Sequence, residues 1–204
     1  MSYLTLKPCL MHYEKHAIYH VYNRSYRNVF VLDDYYLLFL EKVRKYIYPC
    51  CEILAWCLMP NHYHFLIMAT EDSVQDIEEP HRPTTQQLSK NWGTLLSSYT
   101  LTLNKKNGSR GPLWIYRTTA KMLNGHSDNY PFVCFQYIHQ NPVRAGLVDR
   151  MEDWKYSSYN DFAGKRNGQL TNKSLAFDII GIRESTFIKE CQKEPDENQL
   201  NQIW

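Results

Sequence analysis

The chain has 204 residues, enough for one domain with at most an appendage. Hydrophobic residues make up 44% and charged residues 22%, which excludes a disordered, collagen-like or purely coiled-coil chain. The net charge of +2 says little about partners; no apolar run approaches the ~20 residues of a membrane span, no signal-peptide pattern opens the chain, and the expected compartment is the cytoplasm.

Residues 17–23 are rich in β-branched and aromatic side chains and read as a strand. Asp33 or Asp34 can cap a helix to about Tyr48, with Leu37, Leu38, Leu40, Val43 and Ile47 at helical spacing and Pro49 closing it. Residues 52–59 read as a buried strand, Pro60 and Asn61 as a turn, and residues 62–69 as the antiparallel partner. The acidic stretch 71–83 reads as a loop. Thr84 or Thr85 can cap a helix over about 86–106, with Leu88, Trp92, Leu95, Leu96 and Tyr99 on one side. Residues 113–123 read as a strand, and Asp128 or Asn129 starts a helix that Pro142 and Gly146 end.

This order predicts an α+β fold: the β-α-β-β-α-β arrangement of a ferredoxin-like antiparallel sheet, with helices packed on it. The main domain is read as 1–163, and the polar remainder, 164–204, as a small, partly helical extension. The cysteines (Cys9, Cys50, Cys51, Cys57, Cys134, Cys191) form no C-x-x-C pair and are expected to be buried and reduced.

Charge is unevenly distributed. Glu71, Asp72, Asp76, Glu78 and Glu79 crowd one segment, whereas Lys90, Lys105, Lys106, Arg110, Arg117 and Lys121 follow without an intervening acid. Trp92, Tyr99, Trp114 and Tyr116 are interleaved with that charge. Cations beside stacking surfaces suit a single-stranded nucleic acid, although aromatics in a core beside a solvated basic helix give the same pattern.

Two constellations carry chemistry. In a strand, His62 and His64 share one face with Leu66 and Met68, while Tyr63, Phe65 and Ile67 face the other way. Two imidazoles about 7 Å apart can present two nitrogens to one divalent ion, and a third donor must come from elsewhere. In a helix, Tyr137 and Asn141 stand at i and i+4 on one face. A phenol next to an amide donor could give a nucleophile beside a metal ligand, with the metal polarising the electrophile it attacks, although a core tyrosine and a helix stop at Asn-Pro-x-x-x-Gly give the same pattern. Pro142 disfavours helical geometry at Asn141, which places that side chain at a frayed helix end.

Together these motifs resemble a known family. Leu58-Met59-Pro60-Asn61-His62-Tyr63-His64-Phe65, then Tyr137-Ile138-His139-Gln140-Asn141-Pro142-Val143-Arg144-Ala145-Gly146-Leu147-Val148, then Trp154-Lys155-Tyr156-Ser157-Ser158-Tyr159, resemble the REP-associated tyrosine transposases. These are relatives of the single-tyrosine HUH transposases of insertion sequences. Tyr19-His20-Val21-Tyr22-Asn23-Arg24-Ser25 and Gly111-Pro112-Leu113-Trp114-Ile115-Tyr116-Arg117 add to the resemblance.

The resemblance implies an HUH endonuclease fold, with His62, His64 and Asn141 as metal ligands and Tyr137 as the catalytic nucleophile. Insertion-sequence relatives usually carry glutamine where Asn141 stands. It implies Mg²⁺ or Mn²⁺ as cofactor and single-stranded hairpin DNA as partner. It also implies nicking and strand transfer through a 5′-phosphotyrosine, and admits a homodimer. Arg24, Lys105, Lys106, Arg117, Lys121 and Arg144 are the candidate DNA contacts. His20 is expected to pack or to line the site, and His139 to point away from Tyr137. A hairpin-binding protein without catalysis and a nuclease using water are the alternatives.

Overall fold

Alternation along 62–69 sets the frame of the molecule. The computed structural model describes residues 12–123, 129–195 and 197–201; Cys9 and Asp128 lie outside them. Strand β1 (Ile18–Arg24) is followed by helix α1 (Asp33–Tyr46), then β2 (Cys51–Met59) and β3 (His62–Ala69). A short helix α2 (Glu71–Val74) and a two-stranded ribbon, β4 (Asp76–Ile77) with β5 (Thr85–Gln86), lead to the long helix α3 (Gln87–Asn107). Strand β6 (Thr119–Met122) and helix α4 (Tyr130–Arg144) follow. The sheet order is β2-β3-β1-β6, and every neighbouring pair is antiparallel. That is the predicted ferredoxin-like α+β sheet.

The two faces of the sheet have different partners. Tyr63, Phe65 and Ile67 point toward α1 and α3, in a core with Phe39, Val43, Trp92 and Tyr99. Leu66 and Met68 point the other way, toward α4. A bulge between Ile53 and Ala55 puts both Leu54 and Ala55 on the α4 side, which widens the apolar floor under that helix. The face carrying His62 and His64 is therefore the α4 face.

Several sequence expectations change. Asp33 is the first helical residue of α1, not its cap; its carboxylate is held by Lys155 and Tyr156. The inward stripe of α1 is Tyr35, Tyr36, Phe39 and Val43, while Leu37 is exposed. The 71–83 stretch is not all loop: Thr70 forms a capping box with Ser73. The strand expected over 113–123 is regular only in β6; upstream, Trp114 makes an isolated bridge to Ser25. Helix α4 runs through Pro142 to Arg144, and Asn141 is helical, its carbonyl accepting from Ala145 N–H at 2.9 Å. Asn141 is thus fixed and buried rather than frayed.

The segment after α4 covers exposed backbone. Leu58 N–H donates to the Tyr156 carbonyl and Ser158 N–H to the Trp56 carbonyl, so residues 156–158 close the open edge of β2. Beyond helix α5 (Tyr159–Phe162) lie α6 (Lys173–Ile180), α7 (Phe187–Cys191) and α8 (Glu197–Leu200). Ala176, Phe187, Cys191 and Leu200 pack into the core beneath α4. Gln136 Nε2 donates to the Glu190 carbonyl at 2.6 Å, and Gln140 Nε2 to the Cys191 carbonyl at 2.7 Å. The face of α4 turned away from the histidines is tied down by this tail. The five described cysteines are free and buried, as expected.

Candidate active site

The α4 helix crosses β2 and β3 and sets Tyr137 against the histidine strand. The Tyr137 ring centroid lies 5.5 Å from His64, nearly perpendicular to it, and 6.4 Å from His20. The His62 and His64 rings are 5.0 Å apart. His64 and Tyr137, 73 positions apart in sequence, are brought together because Leu66, Val133, Phe135 and Ile138 form the apolar contact between sheet and helix.

His20 belongs to this group: it packs and also lines the site. It is buried, and its Nε2 lies 2.9 Å from His64 Nδ1, with the two rings stacked at 5.1 Å. Tyr22 sits opposite His64 on the neighbouring strand, and Arg24 opposite His62. His62 Nδ1 lies 2.7 Å from Asn61 Oδ1. The only legible signal for His20 was strand alternation: His20, Tyr22 and Arg24 share the face of β1 that continues the His62–His64 face of β3.

Burial sets the electrostatics. It lowers the pKa of His62 to about 4, with the neighbouring Arg24 charge adding to the effect. It also holds His64 well below the usual imidazole range, reinforced by His20 and His62. Both rings are therefore neutral at pH 7 and keep a lone pair for a Lewis acid. Burial raises Tyr137 to about 12, and the Asn141 amide and Arg144 pull partway back. The Asn141 amide is near enough to act on the phenol, yet its Nδ2 is buried and makes no hydrogen bond of standard geometry.

Among the described residues, no three His, Cys, Asp or Glu side chains converge as a metal cluster. The donors on offer are two neutral imidazoles and the Asn141 amide, whose oxygen and nitrogen exchange places by a flip. This mixed nitrogen and oxygen set suits a borderline divalent ion.

The basic residues divide. Lys121 pairs with His20 across β1 and β6, and so projects on the histidine face. Arg24 and Arg144 act electrostatically on His62 and Tyr137. Arg117 is exposed just before β6. Lys105 and Lys106 are exposed in the last turn of α3, on the other side of the sheet. Of the interleaved aromatics, Trp92, Tyr99 and Trp114 are core residues and only Tyr116 is exposed, at 79%. Tyr26, which sequence reading passed over, is also exposed. His139 points away from the site as expected: its Nε2 lies 2.8 Å from Ser158 Oγ.

No protein-family model matches the chain. A curated Haemophilus influenzae protein named "Putative REP-associated tyrosine transposase" is 28% identical over 112 residues, 53% of this chain. The match spans 59% of that relative's length. A solved structure, titled as a REP-associated tyrosine transposase bound to a REP hairpin, superposes with a TM-score of 0.54 at 19% identity, covering 79% of this chain and 92% of that one. The latter likeness shows the fold. By motif, by sequence and by fold, this chain is similar to the REP-associated tyrosine transposases.

Proposed function

We propose that the chain is a metal-dependent single-strand DNA endonuclease and strand transferase acting on REP-like hairpin DNA through a 5′-phosphotyrosine. One observation carries the reading: Tyr137 stands against His64, 5.5 Å between rings, on the face where His62 and His64 lie together.

His62, His64 and Asn141 would hold Mg²⁺ or Mn²⁺, which supplies charge stabilisation at the scissile phosphate. Tyr137 enters as a neutral phenol, since burial has raised it to about 12. Its Oη forms a bond to phosphorus as the bond from phosphorus to the 3′-oxygen breaks. The phenol proton is balanced by the proton gained by the departing 3′-hydroxyl. One phosphodiester replaces another, so a second 3′-hydroxyl can reverse the step and join a new strand without ATP. Arg24, Lys121 and Arg144 surround the reacting residues and would neutralise phosphates, with Arg117, Lys105 and Lys106 farther out. The proposed site is drawn from one chain, and a homodimer is compatible with it. No described helix is long and apolar enough to cross a membrane, and a cytoplasmic location beside DNA fits the proposed substrate.

The test is a covalent-adduct gel. Wild type and Tyr137→Phe are incubated with Mg²⁺ or Mn²⁺ and a labelled hairpin from beside the protein's own gene, then denatured. A labelled protein band in wild type alone is the expected result. Cleavage without an adduct would replace this reading with a hydrolytic nuclease. Binding without cleavage would replace it with a hairpin-binding protein.

A further inference from the structure

Each candidate ligand histidine has its Nδ1 engaged by a neighbour. For His62 the neighbour is Asn61 Oδ1, at 2.7 Å. With the Asn61 oxygen turned to the ring, the amide accepts, which puts the hydrogen on His62 Nδ1 and the lone pair on Nε2. For His64 the neighbour is His20 Nε2, at 2.9 Å. With Nδ1 occupied by His20, His64 can meet a cation only through Nε2. Its hydrogen must then lie on Nδ1, and His20 Nε2 must accept it.

We propose that His20 and Asn61 are positioning residues that hold His64 and His62 in the Nδ1–H tautomer, each leaving its Nε2 as the metal donor. The proposal rests on the reading of His62 and His64 as ligands. Both supports are themselves held in place. The Asn61 carbonyl accepts from Ser25 N–H and from Ser25 Oγ–H, each at 2.8 Å, which pins the turn. His20 is fully buried on the central strand β1, stacked on His64 at 23° between ring planes and 4.8 Å from the Tyr22 ring. Outer partners of this kind orient a ligating imidazole and raise its basicity, and losing one typically costs 10- to 100-fold in metal affinity. The arrangement also gives the Asn of the Pro60-Asn61-His62 turn a chemical task beyond turning the chain.

Two measurements test this. The first is ¹⁵N NMR of the imidazoles in metal-free wild type at neutral pH. Nδ1–H tautomers at His62 and His64 are expected, and an Nε2–H tautomer at His64 would overturn the proposal. The second is Mn²⁺ affinity by calorimetry for wild type, His20→Leu, His20→Gln and Asn61→Ala. His20→Leu and Asn61→Ala should each lose about 10- to 100-fold. His20→Gln, whose amide oxygen can accept from Nδ1–H, should recover most of the affinity. Unchanged affinity in both His20→Leu and Asn61→Ala would overturn the proposal. If His20→Leu does not fold, Asn61→Ala at the partly exposed turn and the wild-type spectrum decide. If wild type binds no Mn²⁺, the metal reading itself fails, and the tautomers alone decide.

Discussion

Ser158→Ala tests how the motif after α4 holds that helix in place. Ser158 Oγ accepts from Trp56 N–H at 2.9 Å and lies 2.8 Å from His139 Nε2 and 3.2 Å from the Trp56 carbonyl. One hydroxyl can satisfy all three if it accepts twice and donates once, which assigns the hydrogen of His139 to Nε2. All the participating side chains are buried. Alanine leaves two buried donors, Trp56 N–H and His139 Nε2–H, without partners. The Trp56 carbonyl keeps its bond from Ser158 N–H at 2.9 Å and is not orphaned. At about 1–3 kcal/mol for each of the two unsatisfied donors, the loss should be roughly 2–6 kcal/mol. Urea denaturation followed by fluorescence measures it. A second arm removes the imidazole: His139→Leu should cost less in the Ser158→Ala background than in wild type, because the two share one interaction. A loss below about 1 kcal/mol with an unchanged m-value, or strict additivity of the two changes, would refute the reasoning.

Other outcomes follow from the same geometry. A methyl group at Gly168 would sit 2.5 Å from Asp161 Oδ1, which accepts from Gly168 N–H and pairs with Arg166. Gly168→Ala should therefore destabilise by about 1–3 kcal/mol, seen as a lower midpoint in the same denaturation experiment. Stability should fall in acid through two desolvated histidines: the half-buried His62 is lowered to about 4 and the buried His139 to about 3, so below pH 6.5 the unfolded chain binds protons that the folded chain refuses. The loss should grow from pH 6.5 down to about 4 for His62 and about 3 for His139, and His139→Leu should flatten the curve. Arg24→Ala and Arg117→Ala should each weaken hairpin binding and reduce its salt slope by about 1, measured by fluorescence anisotropy against salt; unchanged slopes would remove these residues from the interface.

How much was legible depended on distance along the chain. The period of two along 62–69 put His62 and His64 on one face, and the period of 3.6 put Tyr137 one turn from Asn141, because both are properties of local backbone geometry. The element order was enough for the sheet topology, since the crossover and antiparallel rules leave few alternatives. Residues such as Trp92, Tyr99 and Trp114 read equally well as core or as stacking surface, because burial depends on what packs opposite. Tyr116 and Tyr26 stayed outside because nothing covers them. Pro142 was read as a stop, yet α4 continues through it for two residues, with Val143 packed against the core.

The sequence by itself determined the main strands and helices, their order, the shared face of the histidine pair and the pairing of Tyr137 with Asn141. Only the tertiary structure decided that α4 lies on the histidine face rather than with α1 and α3. It also decided that His20 bonds to His64 across 44 residues and that the tail anchors the far side of the tyrosine helix. Those facts follow from which apolar surfaces meet when the chain closes, and that is a property of the whole packed core rather than of any one segment.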